Sequence, residues 1–68
     1  MKYKPKYLRL NMGYSREDLC EMLEGLGVEM TTRMLSDREN EITQWKGTEV
    51  VALIKIFKVD ADQLDISY

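Results

Sequence analysis

Histidine is absent from this 68-residue chain, and cysteine occurs once, as Cys20. A disulfide framework and a zinc site are therefore both out of reach of a single copy. A lone thiol inside an apolar periodic segment suits a reducing compartment and reads as a small core residue. Long hydrophobic runs are missing too. The longest, Val50 to Ile54, is far shorter than a membrane span needs. The first residues, MKYKPKY, lack the apolar stretch of a secretion signal, so a cytoplasmic location is expected. There is no glycine-rich phosphate loop, no nucleophile motif and no acidic cluster at metal spacing. Accordingly no catalytic role, cofactor, small-molecule ligand or membrane partner is expected.

Sixty-eight residues allow one domain, spanning 1–68. A core of that size supplies about 3–5 kcal/mol. With metals and disulfides excluded, dense helix packing and a partner subunit remain as sources of stability. Hydrophobic residues make up 44% and charged residues 32%, which fits a folded domain rather than a disordered one. The net charge of −2 is unevenly spread. Lys2, Lys4, Lys6, Arg9 and Arg16 give residues 1–16 a charge of +5 with no acid. Five basic and twelve acidic residues give 17–68 a charge of −7. A basic N-terminal arm over 1–6 on an acidic body is compatible with phosphate contact at one end, and equally with a solvated tail. The acidic body argues against coating nucleic acid without specificity.

What is present is helical. Pro5 favours a first helical turn, and Tyr7, Leu8, Leu10 and Met12 follow it before Gly13 offers a left-handed stop. Ser15 reads as an N-cap, with Asp18 three residues on as the acidic arm of a capping box. The second helix is expected over Arg16 to Leu26, with Leu19, Met22, Leu23 and Leu26 on one face. Gly25 and Gly27 mark a turn, across which Val28 and Met30 point inward. Thr31 caps a third helix over about 32–40. Residues 41–47 read as a loop. Thr48 is the expected cap of a fourth helix, EVVALIKIFKV, with Val50, Leu53, Ile54 and Phe57 as its inner stripe. Asp60 caps a last turn holding Leu64.

Two short helices joined by a glycine turn, the second with hydroxyls and an arginine on its first turns, form the grammar of a helix-turn-helix. The ordered series resembles the Cro and phage-repressor (XRE) helix-turn-helix family. The run GYSREDLCEML at 13–23 resembles the family's GLSQEELAEKL. Residues from Gly27 to Asn40 resemble its turn and recognition helix, residues 49–57 its ELLALAKVL, and 59–64 its GVSLDEL. Arg16 stands where that family usually has glutamine, and Arg38 where it has a core isoleucine. Glu41 stands in place of glycine, and Asp37 in place of arginine. The resemblance implies an all-α, four- to five-helix repressor-type helix-turn-helix domain. It also implies a transcriptional regulator that occupies double-stranded operator DNA as a homodimer.

On that reading, Thr31, Thr32, Arg33, Ser36 and Asp37 lie where base edges are read. Arg33 is suited to a bidentate grip on guanine, Thr32 and Ser36 to either base type, and Asp37 to cytosine. Ser15, Arg16, Arg38, Asn40, Thr43, Gln44 and Lys46 are candidates for phosphate contact. For Arg38 the alternative is a snorkelling side chain laid over the core. Met34 is either a core filler or an apolar groove contact. Trp45 either packs on the core edge or anchors a dimer. Val51, Ile56, Ile66 and Tyr68 complete a candidate dimer face, against which stands a fully buried fourth helix. A rival function is a protein-interaction module on the same fold. The acids Asp37, Glu39 and Glu41 at the recognition end would repel phosphate and favour another regulator or a basic partner.

Overall fold

The structure, a computed structural model, describes residues 2–66. Those residues form an all-helical fold: α1 (Pro5–Asn11), α2 (Arg16–Gly25), α3 (Thr32–Glu39) and α4 (Gly47–Phe57). A single turn of 3-10 helix, Ala61–Gln63, follows. Among the described residues there is no strand, only an isolated parallel bridge between Tyr3 and Leu64.

Local chemistry sets most helix ends. Pro5 occupies the first turn of α1, and Gly13, at φ +75°, ends it with a backbone other residues rarely adopt. At α2 the reciprocal box forms: the Asp18 N–H donates to Ser15 Oγ and the Ser15 N–H to Asp18 Oδ2, both at 3.0 Å. At α3 the Met34 N–H donates to Thr31 Oγ1 at 3.1 Å. The start of α4 departs from the sequence reading. Thr48 lies inside the first turn, and the cap is Lys46, whose N–H donates to Glu49 Oε1 at 2.9 Å. The reach-back of Glu49, not a threonine hydroxyl, sets that boundary. At the other end Lys58 turns left-handed at φ +56°, so α4 stops at Phe57.

α2 packs on α3 and α4, and α1 packs on α4. Leu19, Leu23, Met30, Leu35 and Leu53 are fully buried between them, with Leu8, Cys20, Ala52, Phe57 and Leu64 completing the core. Cys20 is thus the small core residue its setting implied. Burial raises its thiol above the ordinary range, with Glu17, Glu24 and Glu39 adding to the effect. Two expectations shift. Leu26 caps α2 rather than lying within it, and it is exposed. On α4 the buried line runs through Glu49, Ala52, Leu53 and Phe57, with Val50 and Ile54 at its edges.

The N-terminal arm is also corrected. The Tyr3 N–H donates to the Gln63 carbonyl and the Asp65 N–H to the Tyr3 carbonyl, both at 2.8 Å. Lys4 Nζ sits 2.6 Å from Glu41, which raises the lysine pKa. Tyr3 is therefore tied to the body by paired backbone and Lys4 by an ion pair, so these two residues of the 1–6 arm are not a solvated tail. No helix among the described residues is long and apolar enough to cross a membrane.

Candidate nucleic-acid interface

The N-terminal turns of α2 and α3 meet at one open depression. Arg9, Ser15, Arg16, Glu17, Thr32 and Arg33 line it. Thr31, Thr32 and Arg33 are exposed, while Ser36 and Asp37 are half-buried. Arg33 makes no ion pair among the described residues, so its guanidinium fork is open to a ligand. Asn40 Nδ2 donates to Ser36 Oγ at 3.3 Å, which leaves the serine O–H able to donate elsewhere.

Behind the depression lies an ion cluster that the sequence did not announce. The Glu39 side chain is fully buried, and Arg9 grips it with two bonds, Nε to Oε2 at 2.7 Å and Nη2 to Oε1 at 3.1 Å. Arg9 also donates from Nη1 to the Tyr14 carbonyl at 2.9 Å. Arg16 adds a third bond to Glu39, Nε to Oε1 at 3.0 Å. Two guanidinium groups thus face one carboxylate, leaving a net positive charge. That charge emerges on Arg16, whose side chain is 37% exposed, and not on Arg9 at 6%. Bidentate, charge-assisted bonds of this kind fix geometry as well as charge.

A second buried pair removes one candidate. Arg38 Nε donates to Glu49 Oε1 at 2.7 Å, with side chains 7% and 4% exposed. Its Nη1 lies 3.4 Å from both the Met34 carbonyl and Thr43 Oγ1. Arg38 is therefore neither a phosphate contact nor a snorkelling stem with its head in water. Its head is turned inward because a buried carboxylate from α4 waits there. Thr43, Gln44 and Lys46 remain exposed on the connection between α3 and α4.

The acids at this end are mostly neutralised. Glu39 is held by two arginines, and Glu41, at φ +62°, is paired with Lys4. Asp37 is the one of the three without an ion pair among the described residues.

The expected dimer residues are not gathered on one face. Val51 is 53% exposed and lines an open, mostly apolar groove with Leu26, Val28, Ala52 and Lys55. Ile56 sits about 140° away around the helix and packs, half-buried, on the core. Trp45 and Ile66 also pack on the core, and both line a separate small cavity roofed by Lys4 and Glu41. Tyr68 lies outside the described residues. Among the described residues no three acids, cysteines or histidines converge to hold a metal ion.

Comparisons with protein-family models, with curated proteins and with solved structures return no match.

Proposed function

We propose that this chain is a sequence-specific DNA-binding regulator of the helix-turn-helix, Cro-like kind. One observation carries the reading: Arg16 and Arg33 share a single open depression with Ser15 and Thr32, between the starts of two helices. Phosphate is drawn to cations and helix starts, while base edges are read by side chains on the first turns of an inserted helix. Here Arg16, with the Ser15 hydroxyl, faces the backbone, and Arg33 with Thr32 and Ser36 faces the bases. Thr43, Gln44 and Lys46 supply a second backbone contact from the far end of α3. Pairing of Glu39 and Glu41 with cations removes two of the three carboxylates that the recognition end sets against phosphate, with Asp37 and the Glu17 of the depression remaining.

In this reading α3 enters the major groove by its N-terminal end. Two copies, related by a two-fold axis, read a palindrome, with Val51 and Leu26 as the exposed apolar residues that a partner copy would cover. With no catalytic step, the protein acts by occupying its site.

Selection of bound duplexes from a random pool tests this. Recovery of a defined motif is expected. The logarithm of affinity should fall with log salt at a slope of about −2 per copy, for two phosphate-bound cations. No enrichment and a flat salt response would count against DNA. Binding of a basic protein at the recognition end, where Asp37 lies, with no duplex enriched, would favour the protein-module reading instead.

A further inference from the structure

Residues 40–46 connect α3 to α4 without regular structure, yet they carry three of the polar side chains assigned to the DNA backbone. Thr43, Gln44 and Lys46 are all exposed there. An exposed connection of this kind is ordinarily the mobile part of a domain. This one is anchored from beneath. A single oxygen, Glu49 Oε1, accepts from Arg38 Nε at 2.7 Å and from the Lys46 N–H at 2.9 Å. Arg38 Nη1 approaches Thr43 Oγ1 at a longer 3.4 Å. Further bonds run from the Ile42 N–H to the Asp37 carbonyl at 2.8 Å, and from the Glu41 N–H to the Arg38 carbonyl at 3.2 Å. The last turn of α3, the middle and end of the connection, and the first turn of α4 therefore converge on one buried pair.

Stability alone does not call for a buried ion pair. Apolar residues of similar volume often serve as well or better. What apolar residues cannot supply is directional bonding to a backbone N–H and a hydroxyl. We infer that Arg38 and Glu49 are positioning residues: their buried pair holds the 40–46 connection so that Thr43, Gln44 and Lys46 meet the phosphates of duplex DNA together. This rests on the DNA-binding reading above and assigns neither residue a contact with DNA.

The test is the double variant Arg38→Met, Glu49→Met, which keeps volume and removes both charges and bonds. It should stay folded, with a melting temperature at or above that of the unaltered chain. Amides of residues 41–46 should exchange about tenfold faster or more, while those of α2 keep their protection. Affinity should fall about tenfold on every duplex, matching one lost polar contact. The salt slope should shrink by about 1, and the base preference at the Arg33 position should persist. Glu49→Gln retains an acceptor oxygen for both donors but leaves the Arg38 charge without a counter-ion, so its melting temperature should fall while the folded protein keeps the amide protection and the salt slope. Unchanged exchange at 41–46, or unchanged affinity and slope, in the double variant overturns the inference alone. So does loss of the salt slope in a folded Glu49→Gln, which also decides the matter if the double variant does not fold. If the unaltered chain binds no duplex, the DNA reading itself falls, and the inference with it.

Discussion

Two buried ion clusters meet at neighbouring residues in the last turn of α3, Glu39 and Arg38, and they differ by one arginine. In the first, Arg9 and Arg16 share Glu39, so a positive charge is left over and reaches the surface on Arg16. In the second, Arg38 and Glu49 cancel, and nothing reaches the surface. The surplus cluster faces the open depression beside Arg33, whereas the balanced one lies under the exposed connection to α4. The same residue type therefore does two different things. An arginine whose carboxylate is already shared carries charge to the surface, while an arginine with a carboxylate to itself stays buried.

The sharpest way to break this contrast is Glu49→Ala. It leaves Arg38 buried and unpaired, at a cost of about 3–5 kcal/mol. That matches the whole stability of a core this small, so far-UV circular dichroism should show the variant largely unfolded at 25 °C. A folded Glu49→Ala would show that Arg38 finds water on its own.

Arg33→Ala sits on the other side of the comparison. It removes an exposed side chain, so unfolding by denaturant should change by less than about 0.5 kcal/mol. Affinity for the selected duplex should drop by about 1–3 kcal/mol, and one base position should relax. Equal loss on random DNA would make Arg33 a phosphate contact and not a reader.

Arg16→Ala separates charge from structure within the surplus cluster. Glu39 keeps its two bonds to Arg9, so stability should fall by no more than about 1 kcal/mol. Affinity should weaken alike on selected and random duplexes, with the salt slope smaller by about 1. A large loss of stability would mean that both arginines are needed to bury Glu39.

The smallest effect is expected at Glu41→Gly. Glycine relieves the left-handed backbone by about 1 kcal/mol. The exposed pair with Lys4 that is lost is weak and screened by salt. A small rise in melting temperature is therefore expected, larger at high salt. A fall would show that the Lys4 pair holds the N-terminal residues in place.

Much of the frame was legible because it is written locally. Ser15 with Asp18, Thr31 with Met34, and Gly13 each act within three residues, and their helix ends fall where the sequence puts them. The inward Leu19 and Leu23 follow from spacing, although the same spacing put the exposed Leu26 inside. The clusters were not legible, because their partners are distant. Arg9 and Glu39 are 30 residues apart, Arg16 and Glu39 are 23, and no periodicity links them. Arg38 was misread for a related reason. Taking Thr48 as the cap placed Glu49 at the exposed start of a helix. Once α4 begins at Gly47, Glu49 becomes the third residue, turns back to Lys46 and meets Arg38. One misplaced boundary moved an arginine from the core to the surface. The tie between the N-terminal residues and the body was not legible either, since the bridge from Tyr3 to Leu64 spans nearly the whole chain.

Titration of the labelled chain with a duplex drawn from the selected pool, followed by amide chemical-shift changes, tests the central claim most directly. Shifts should concentrate at residues 15–17, 31–36 and 43–46, with little change around Leu26 and Val51 at fixed oligomeric state. Shifts confined to the groove beside Val51, or none at low salt, would contradict the account.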